Sequence, residues 1–366
     1  MAANTQVAFS LALGNPMYPP LRFAVRLAGL ATLTAALAGC DTIVMKPHGD
    51  IAMQQANLIW QSVFLMLIII VPVMVLILLF AFRYRHSGDA TYTPDWDHST
   101  RLELLIWGAP LLIVIALGTI TWISTHKLDP YRPLDRINAG TPITSPVKPL
   151  VVDVVALDWK WLFIYPEEGI ATINEVAAPV NRPIEFHITA STVMNTFYVP
   201  ALAGMVYAMP GMEIQLHAVM NDPGSYQGLS ANYSGAGFSD MKFKFLGLSD
   251  ADYANWVNAN RQSGDALTRS AYLKIEQPSA RDPVHRFGHV DEGLYPLIVN
   301  RCVDGKKMCI GQMMHIDANG GMGKGSVSGL TQQDLGADRT RTVVAALCTP
   351  ANPSGLSAAT VAAARP

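Results

Sequence analysis

The sequence predicts a two-helix transmembrane hairpin followed by an all-β sandwich and a small C-terminal extension. Three observations predict it. Two long uncharged runs lie between Ile51 and Thr125, strand-like alternation fills residues 148–248, and an aromatic-rich segment follows. Half of the 366 residues are hydrophobic and only 15% are charged, against roughly 25% in an average soluble domain. The net charge of −2 gives no footprint for nucleic acid, and no nucleic-acid partner is expected. Four cysteines are too few for a disulfide scaffold.

Residues 1–39 read as an export signal. Arg22 and Arg26 precede an uncharged apolar run, Leu27 to Ala38, that ends in Leu37-Ala38-Gly39-Cys40. The run is too short to span a bilayer, which takes about 20 residues. Its ending resembles a bacterial lipobox, so Cys40 is the expected lipidation site and new N-terminus. Met17 would begin a signal of ordinary length. Asp41 resembles an inner-membrane retention signal.

An exported segment, 40–57, leads into the first span, 58–83. That span is dense in Leu, Ile and Val, carries Pro72 at its middle and ends in Arg83 and Arg85. A membrane helix tolerates a proline when neighbours re-satisfy the backbone. The second span, 104–125, has Trp107 and Trp122 near its ends, where amphipathic rings favour the interface. The positive charges flanking the spans are nearly balanced. A lipidated Cys40 has to lie outside, which makes the 84–103 loop cytoplasmic. Both mature termini and the main domain are then periplasmic.

Prolines 130, 133, 142, 146 and 149 mark the 126–147 region as a linker. Alternation then runs through Ile184–Thr189, Met212–His217 and Met241–Phe245, the pattern of half-buried strands. His187 and His217 fall on the polar phase and are expected to face solvent. Cys302 and Cys309 lie close together in an oxidising compartment and are the disulfide candidate. Met313, Met314 and His315 offer a weaker copper-binding alternative, and Cys348 is left over. The tail, 301–366, is expected to be partly disordered, its Gly-, Ala-, Ser- and Thr-rich part from Gly320 in particular.

Four motifs in order give the chain a family likeness over about residues 37–300. They are Glu103-x-x-x-Trp107-x-x-Pro110, Asp158-Trp159-Lys160-Trp161 with Tyr165-Pro166, Val193 to Pro200, and the loop Gly228 to Met241. Together they resemble subunit II of the haem–copper respiratory oxidases, whose exported domain is a cupredoxin-like sandwich. In cytochrome c oxidases that domain holds a two-copper centre of thiolate, imidazole and thioether ligands, donors that suit copper. The resemblance places Asn195 and Phe238 at the histidine positions and Ser230 and Ser234 at the cysteine positions. Asn232 stands at an acidic position shared by copper and magnesium, and Met241 at the thioether. Serine hydroxyls do not ionise near neutral pH, and a phenyl ring offers no lone pair. No metal is therefore expected in this chain.

This loss resembles the quinol oxidases of the cytochrome bo type. The resemblance implies subunit II of a proton-pumping ubiquinol oxidase of the bacterial inner membrane, a complex that reduces oxygen to water. The haems and copper would lie in the partner subunit I, which also receives ubiquinol. This chain would be a non-catalytic scaffold contacting subunit I, other subunits and membrane lipid. Glu103 matches a glutamate that admits protons, a role open to a carboxylate at a membrane interface. Trp159 and Trp161 are expected to pack. Two rival readings are a free-standing lipoprotein with a sandwich binding domain, which would purify without haem, and a cytochrome c oxidase subunit II, which needs the missing Cys and His.

Overall fold

The structure, a computed structural model, describes residues 42–85, 91, 95–144 and 147–318. The export signal, Cys40, Met17, Cys348 and the segment from Gly320 onward lie outside the described residues.

Helix α1 runs from Asp50 to Arg83 and helix α2 from Thr100 to Lys127. Both are long and apolar enough to cross a membrane, with mean hydropathies of 3.4 and 2.2. Their side chains, among them Trp60, Phe64, Trp107 and Trp122, are mostly exposed in the isolated chain. Apolar helices that leave most of their surface exposed are stable only where lipid or other subunits surround them.

Helix α1 begins at Asp50, not at Leu58 as the hydropathy predicts. The extra turns belong to the sandwich. Ala52 and Ala56 are buried, and the amides of His48 and Gly49 donate to Ala201 O, each at 2.9 Å. A Cβ on Gly49 would lie 2.6 Å from Val219 O and 2.7 Å from Leu202 O, so only glycine fits there. Asp50 accepts from Arg136 Nε at 2.9 Å and from Gln54 at 2.7 Å. The region read as a linker is also partly ordered. It carries a short hairpin, β1 (Arg136–Asn138) and β2 (Thr141–Pro142), which delivers Arg136 to Asp50.

The sandwich strands are β3 (Leu150–Leu157), β4 (Lys160–Tyr165), β5 (Ile170–Ile173), β6 (Glu175–Pro179) and β7 (Pro183–Ala190). They continue as β8 (Asn195–Tyr198), β9 (Val206–Ala208), β10 (Ile214–Val219), β11 (Gly224–Ser230) and β12 (Lys242–Leu248). The extension adds β13 (Ala266–Leu267), β14 (His285–Phe287) and β15 (His289–Val290). One sheet has the order β10-β7-β3-β4-β5-β14, the other β6-β12-β11-β8-β9. Between them Phe197 stacks on Phe243 at 5.3 Å, and Trp161 meets both rings edge-on.

Alternation runs through β12, most of β10 and the middle of β7. Strands β4 and β5 are buried throughout, and β3 nearly so, because the extension covers the outer face of their sheet. Helix α3 (Asp250–Arg261) packs Tyr253, Trp256 and Val257 into the core between the sheets, while helices α4 (Arg269–Ile275) and α5 (Leu294–Val299) belong to that cover. Leu267, Tyr272, Leu294, Tyr295 and Ile298 pack on Val155, Leu162 and Ile164. The cover reaches past residue 300. Cys302, Val303 and Met308 are buried, Cys302 and Cys309 are disulfide-bonded, and helix α6 (Ile310–Ala318) follows. The expectation of a tail beginning at 301 is corrected accordingly: apolar side chains at 302, 303 and 308 give this stretch a core to bury.

Two buried charges of the sandwich find partners in the extension. Lys160 Nζ meets Asp282 at 3.1 Å and the Gln277 carbonyl at 3.0 Å. Glu175 accepts from Trp256 Nε1 at 3.0 Å and from Arg286 at 2.8 Å. A buried charge stripped of such a partner is costly, so sandwich and extension form one folded body.

Candidate functional site

The positions that the family pattern assigns to copper lie together at one end of the sandwich, on β8, the end of β11 and the loop to β12. Asn195 is fully buried. Its Nδ2 donates to Val193 O at 3.1 Å, and its Oδ1 accepts from Ser230 Oγ at 3.2 Å. Ser230 Oγ also lies 3.4 Å from Asn232 O. Asn232 Nδ2 donates to Met194 O at 3.1 Å and to Tyr233 O at 3.2 Å. The polar groups thus spend their hydrogen bonds on each other and on the loop backbone.

Ser234 Oγ is buried without a hydrogen-bond partner among the described residues, while the Ser234 carbonyl accepts from Trp159 Nε1 at 3.0 Å. Phe238 packs edge-on against Tyr233 at 5.8 Å. Met241 is 1% exposed and belongs to the inter-sheet core. The loop is shaped around Trp159. Gly235 has φ +119, and a Cβ on Gly237 would stand 2.5 Å from the indole. A glycine pair is what lets the backbone lie against that ring.

This donor set does not fit a copper pair. It offers hydroxyls, amides, a phenyl ring and one thioether already buried in the core, where copper favours thiolate and imidazole. Among the described residues no cluster of three or more His, Cys, Asp or Glu is arranged to hold a metal ion.

The family model for the periplasmic domain of cytochrome c oxidase subunit II matches residues 150–245, and the cytochrome oxidase aromatic-rich motif matches 261–306. Among curated relatives, the cytochrome bo(3) ubiquinol oxidase subunit 2 of Pseudomonas putida is 47% identical, over 72% of this chain and 82% of that protein. The ubiquinol oxidase subunit 2 of Acetobacter aceti is 46% identical, over 77% and 91%. A quinol oxidase subunit 2 of Bacillus anthracis is 37% identical, over 69% and 86%.

The chain belongs to the ubiquinol oxidase subunit 2 family.

It is therefore a subunit of an oxidase complex, and the other subunits of that complex are its partners. The match to the periplasmic-domain model fixes the sandwich as the cupredoxin-like domain of this family. In this subunit 2 fold, the aromatic-rich extension is the cover described above, held by Tyr272, Tyr295 and Phe287.

Glu103 lies in the first turn of α2, where the helix dipole favours a carboxylate. It is about half exposed and meets His98 Nδ1 at 2.7 Å. It touches none of the copper-loop residues.

A second polar cluster went unread in the sequence. His187 is not fully solvent-facing: its side chain is 23% exposed, with Nε2 3.1 Å from Glu185 and Nδ1 3.5 Å from Asp153 and 3.7 Å from Glu213. His217 pairs across the ladder with Glu185 and is half-buried. The reason is the cover on this side: Tyr295 packs beside the cluster, and the His217 amide donates to Pro130 O at 3.1 Å. Burial pushes the Asp153 carboxyl up to about 7, with His187 pulling it down and Glu213 pushing it further up. Burial lowers the His217 imidazole, against a raising pull from Glu185. The signal that could have found the cluster is Asp153 itself, a lone charge inside the apolar run Leu150–Leu157.

Proposed function

We propose that this chain is the copper-free structural subunit II of a proton-pumping ubiquinol oxidase, one that reduces oxygen to water. Electrons pass from ubiquinol to the haems and copper of subunit I without crossing the sandwich. The observation that carries this reading is the set of side chains at the copper positions. Asn195, Ser230 and Asn232 are hydrogen-bonded among themselves and the loop backbone, and Met241 serves the core. The names of the relatives, ubiquinol oxidase subunits 2, support the donor.

The loop then remains as structure. It closes the end of the sandwich and seats Trp159, which in a copper-bearing domain would pass electrons but here has no acceptor. The chain lies in the bacterial inner membrane with both mature termini outside, and Cys40 is lipidated. Glu103 collects protons at the cytoplasmic surface for subunit I. Its place at the start of α2, exposed and beside His98, supports that role.

Metal analysis of the purified complex, with the subunit II spectrum read after separation, tests the central claim. We expect no copper in this chain and co-purification of the chain with haem. Stoichiometric copper with a purple mixed-valence spectrum would overturn it. For Glu103, a Glu103→Ala complex should lose at least half of its oxygen-consumption rate and slow its proton uptake. Unchanged turnover and uptake would exclude the role.

A further inference from the structure

Where the spans meet the sandwich, a cavity of about 370 Å³ opens between the first turns of α1, the end of α2 and the hairpin-bearing segment. Its walls interleave both charge signs: Asp50, Asp129 and Asp135 with Lys127, Arg132 and Arg136. Some of these are already paired. Arg132 meets Asp135 at 3.0 Å, and Arg136 meets Asp50 at 2.9 Å. Lys127, the last residue of α2, has an exposed side chain. Asp50 is 2% exposed, and its Oδ1 has no hydrogen-bond partner among the described residues. A buried carboxylate oxygen without a donor costs free energy that a bound donor would recover.

The cavity lies at the sandwich-facing ends of both apolar helices, the level at which a headgroup would border helices that span a bilayer. A second hollow adjoins it and shares Gln55, Leu128, Asp129 and Pro130 with it. That hollow descends between α1 and α2 past Leu58 and Thr121, on the uncharged parts of both helices. The two form one amphipathic groove, polar above and apolar below.

We infer that this groove binds an amine-headed phospholipid of the outer leaflet, with its phosphate toward Lys127 and Arg132, its ammonium toward Asp50 and Asp129, and an acyl chain between the helices. The mixed lining selects the headgroup. A lipid with net negative charge would set its phosphate on Lys127 and Arg132 but would leave Asp129, the carboxylate outside the arginine pairs, with no ammonium. A choline headgroup matches the charges but has no N–H, whereas a primary ammonium carries three donors for the exposed Asp129 carboxylate and, if the first turn of α1 yields, for the buried Asp50 oxygen behind it. An amphiphile here would also bridge α1, α2 and the sandwich through one molecule.

The test uses the intact oxidase complex, stripped of lipid and returned to nanodiscs of phosphatidylethanolamine or of phosphatidylcholine. Retained lipid is read by native mass spectrometry, and the groove by cryo-electron microscopy. We expect headgroup density between Asp50 and Arg132 in phosphatidylethanolamine, and retention roughly tenfold above phosphatidylcholine, equivalent to about 1.4 kcal/mol. Asp129→Asn and Lys127→Gln, on exposed ground, should each remove most of that preference without unfolding the chain. Asp50→Asn should do the same if the complex still assembles. Equal retention of both lipids, retention unchanged in the Asp129 and Lys127 variants, a quinol ring in the groove, or a side chain of another subunit filling it would each overturn the proposal.

Discussion

The copper-loop end of the sandwich and the outer face of its first sheet are built from opposite materials. At the loop end, Asn195, Ser230, Asn232, Ser234 and Phe238 carry no charge, and most of their polar atoms are bonded within the loop. On the outer face, Asp153, Glu185, His187 and Glu213 crowd ionisable groups into partly buried ground. One region keeps its shape through packing and neutral hydrogen bonds. In the other, burial raises the Asp153 carboxyl to about 7. The loop should therefore respond to steric change and ignore pH, and the outer face should do the reverse.

The largest effect should come from breaking the packing of the loop. Gly237→Val would drive a branched side chain into the Trp159 ring. It should destabilise the chain by about 3 kcal/mol, the upper range for overpacking, equally at all pH values, as read by denaturant unfolding of the solubilised chain. A loss of under about 0.5 kcal/mol, the range of an ordinary surface change, would show that the loop simply moves aside.

The outer face gives the next effect, with a pH signature. Folding raises the Asp153 carboxyl from 3.8 to about 7. The buried acid thus costs the fold nothing where both states are protonated, below about pH 4, and the cost grows as pH rises to 7. Asp153→Asn should stabilise the chain by on the order of 2 kcal/mol at about pH 8, with the gain vanishing toward about pH 4. A gain that does not change with pH would refute the assignment.

The smallest effect sharpens the comparison from the loop side. Ser230→Ala leaves Asn195 Oδ1 without its donor in a buried site. The expected cost is about 1 kcal/mol, flat with pH, with oxidase turnover unchanged. A drop in turnover would give the loop a part in catalysis.

The two spans were legible from charge-free length, and β7, β10 and β12 from alternation, because in each a single physical demand sets the pattern. Strands β3 and β4 carry near-continuous apolar runs, since a cover folded from residues 266–303 buries their second face. That cover depends on contacts far apart in sequence, such as Lys160 with Asp282 and Glu175 with Arg286, which local pattern does not reveal. The first turns of α1 escaped for the same reason: Asp50, Gln54 and Gln55 look like a polar lead-in until Arg136 and the sandwich are in place. The copper positions were readable only through family likeness. Nothing about Asn195 or Ser230 alone marks a position that the family pattern gives to copper. The carboxylate–histidine cluster was hidden because its members come from three neighbouring strands, β3, β7 and β10, and from Glu213 just before β10.

Gly49 and the unbroken helix behind it carry one more consequence. From its seat on the Ala201 and Leu202 backbone, α1 runs 34 residues without interruption, a length of about 51 Å at 1.5 Å per residue. The same rod that crosses the bilayer is clamped into the sandwich, with no joint between them. It acts as a gauge: together with the second attachment just past α2, where the His217 amide holds Pro130, its length sets the clearance of the sandwich above the membrane and its compass bearing. Adding one residue between Leu58 and the clamp would lift the sandwich by about 1.5 Å and turn it by about 100°. The surface offered to the neighbouring subunit would be misaimed while every contact inside the sandwich stayed intact.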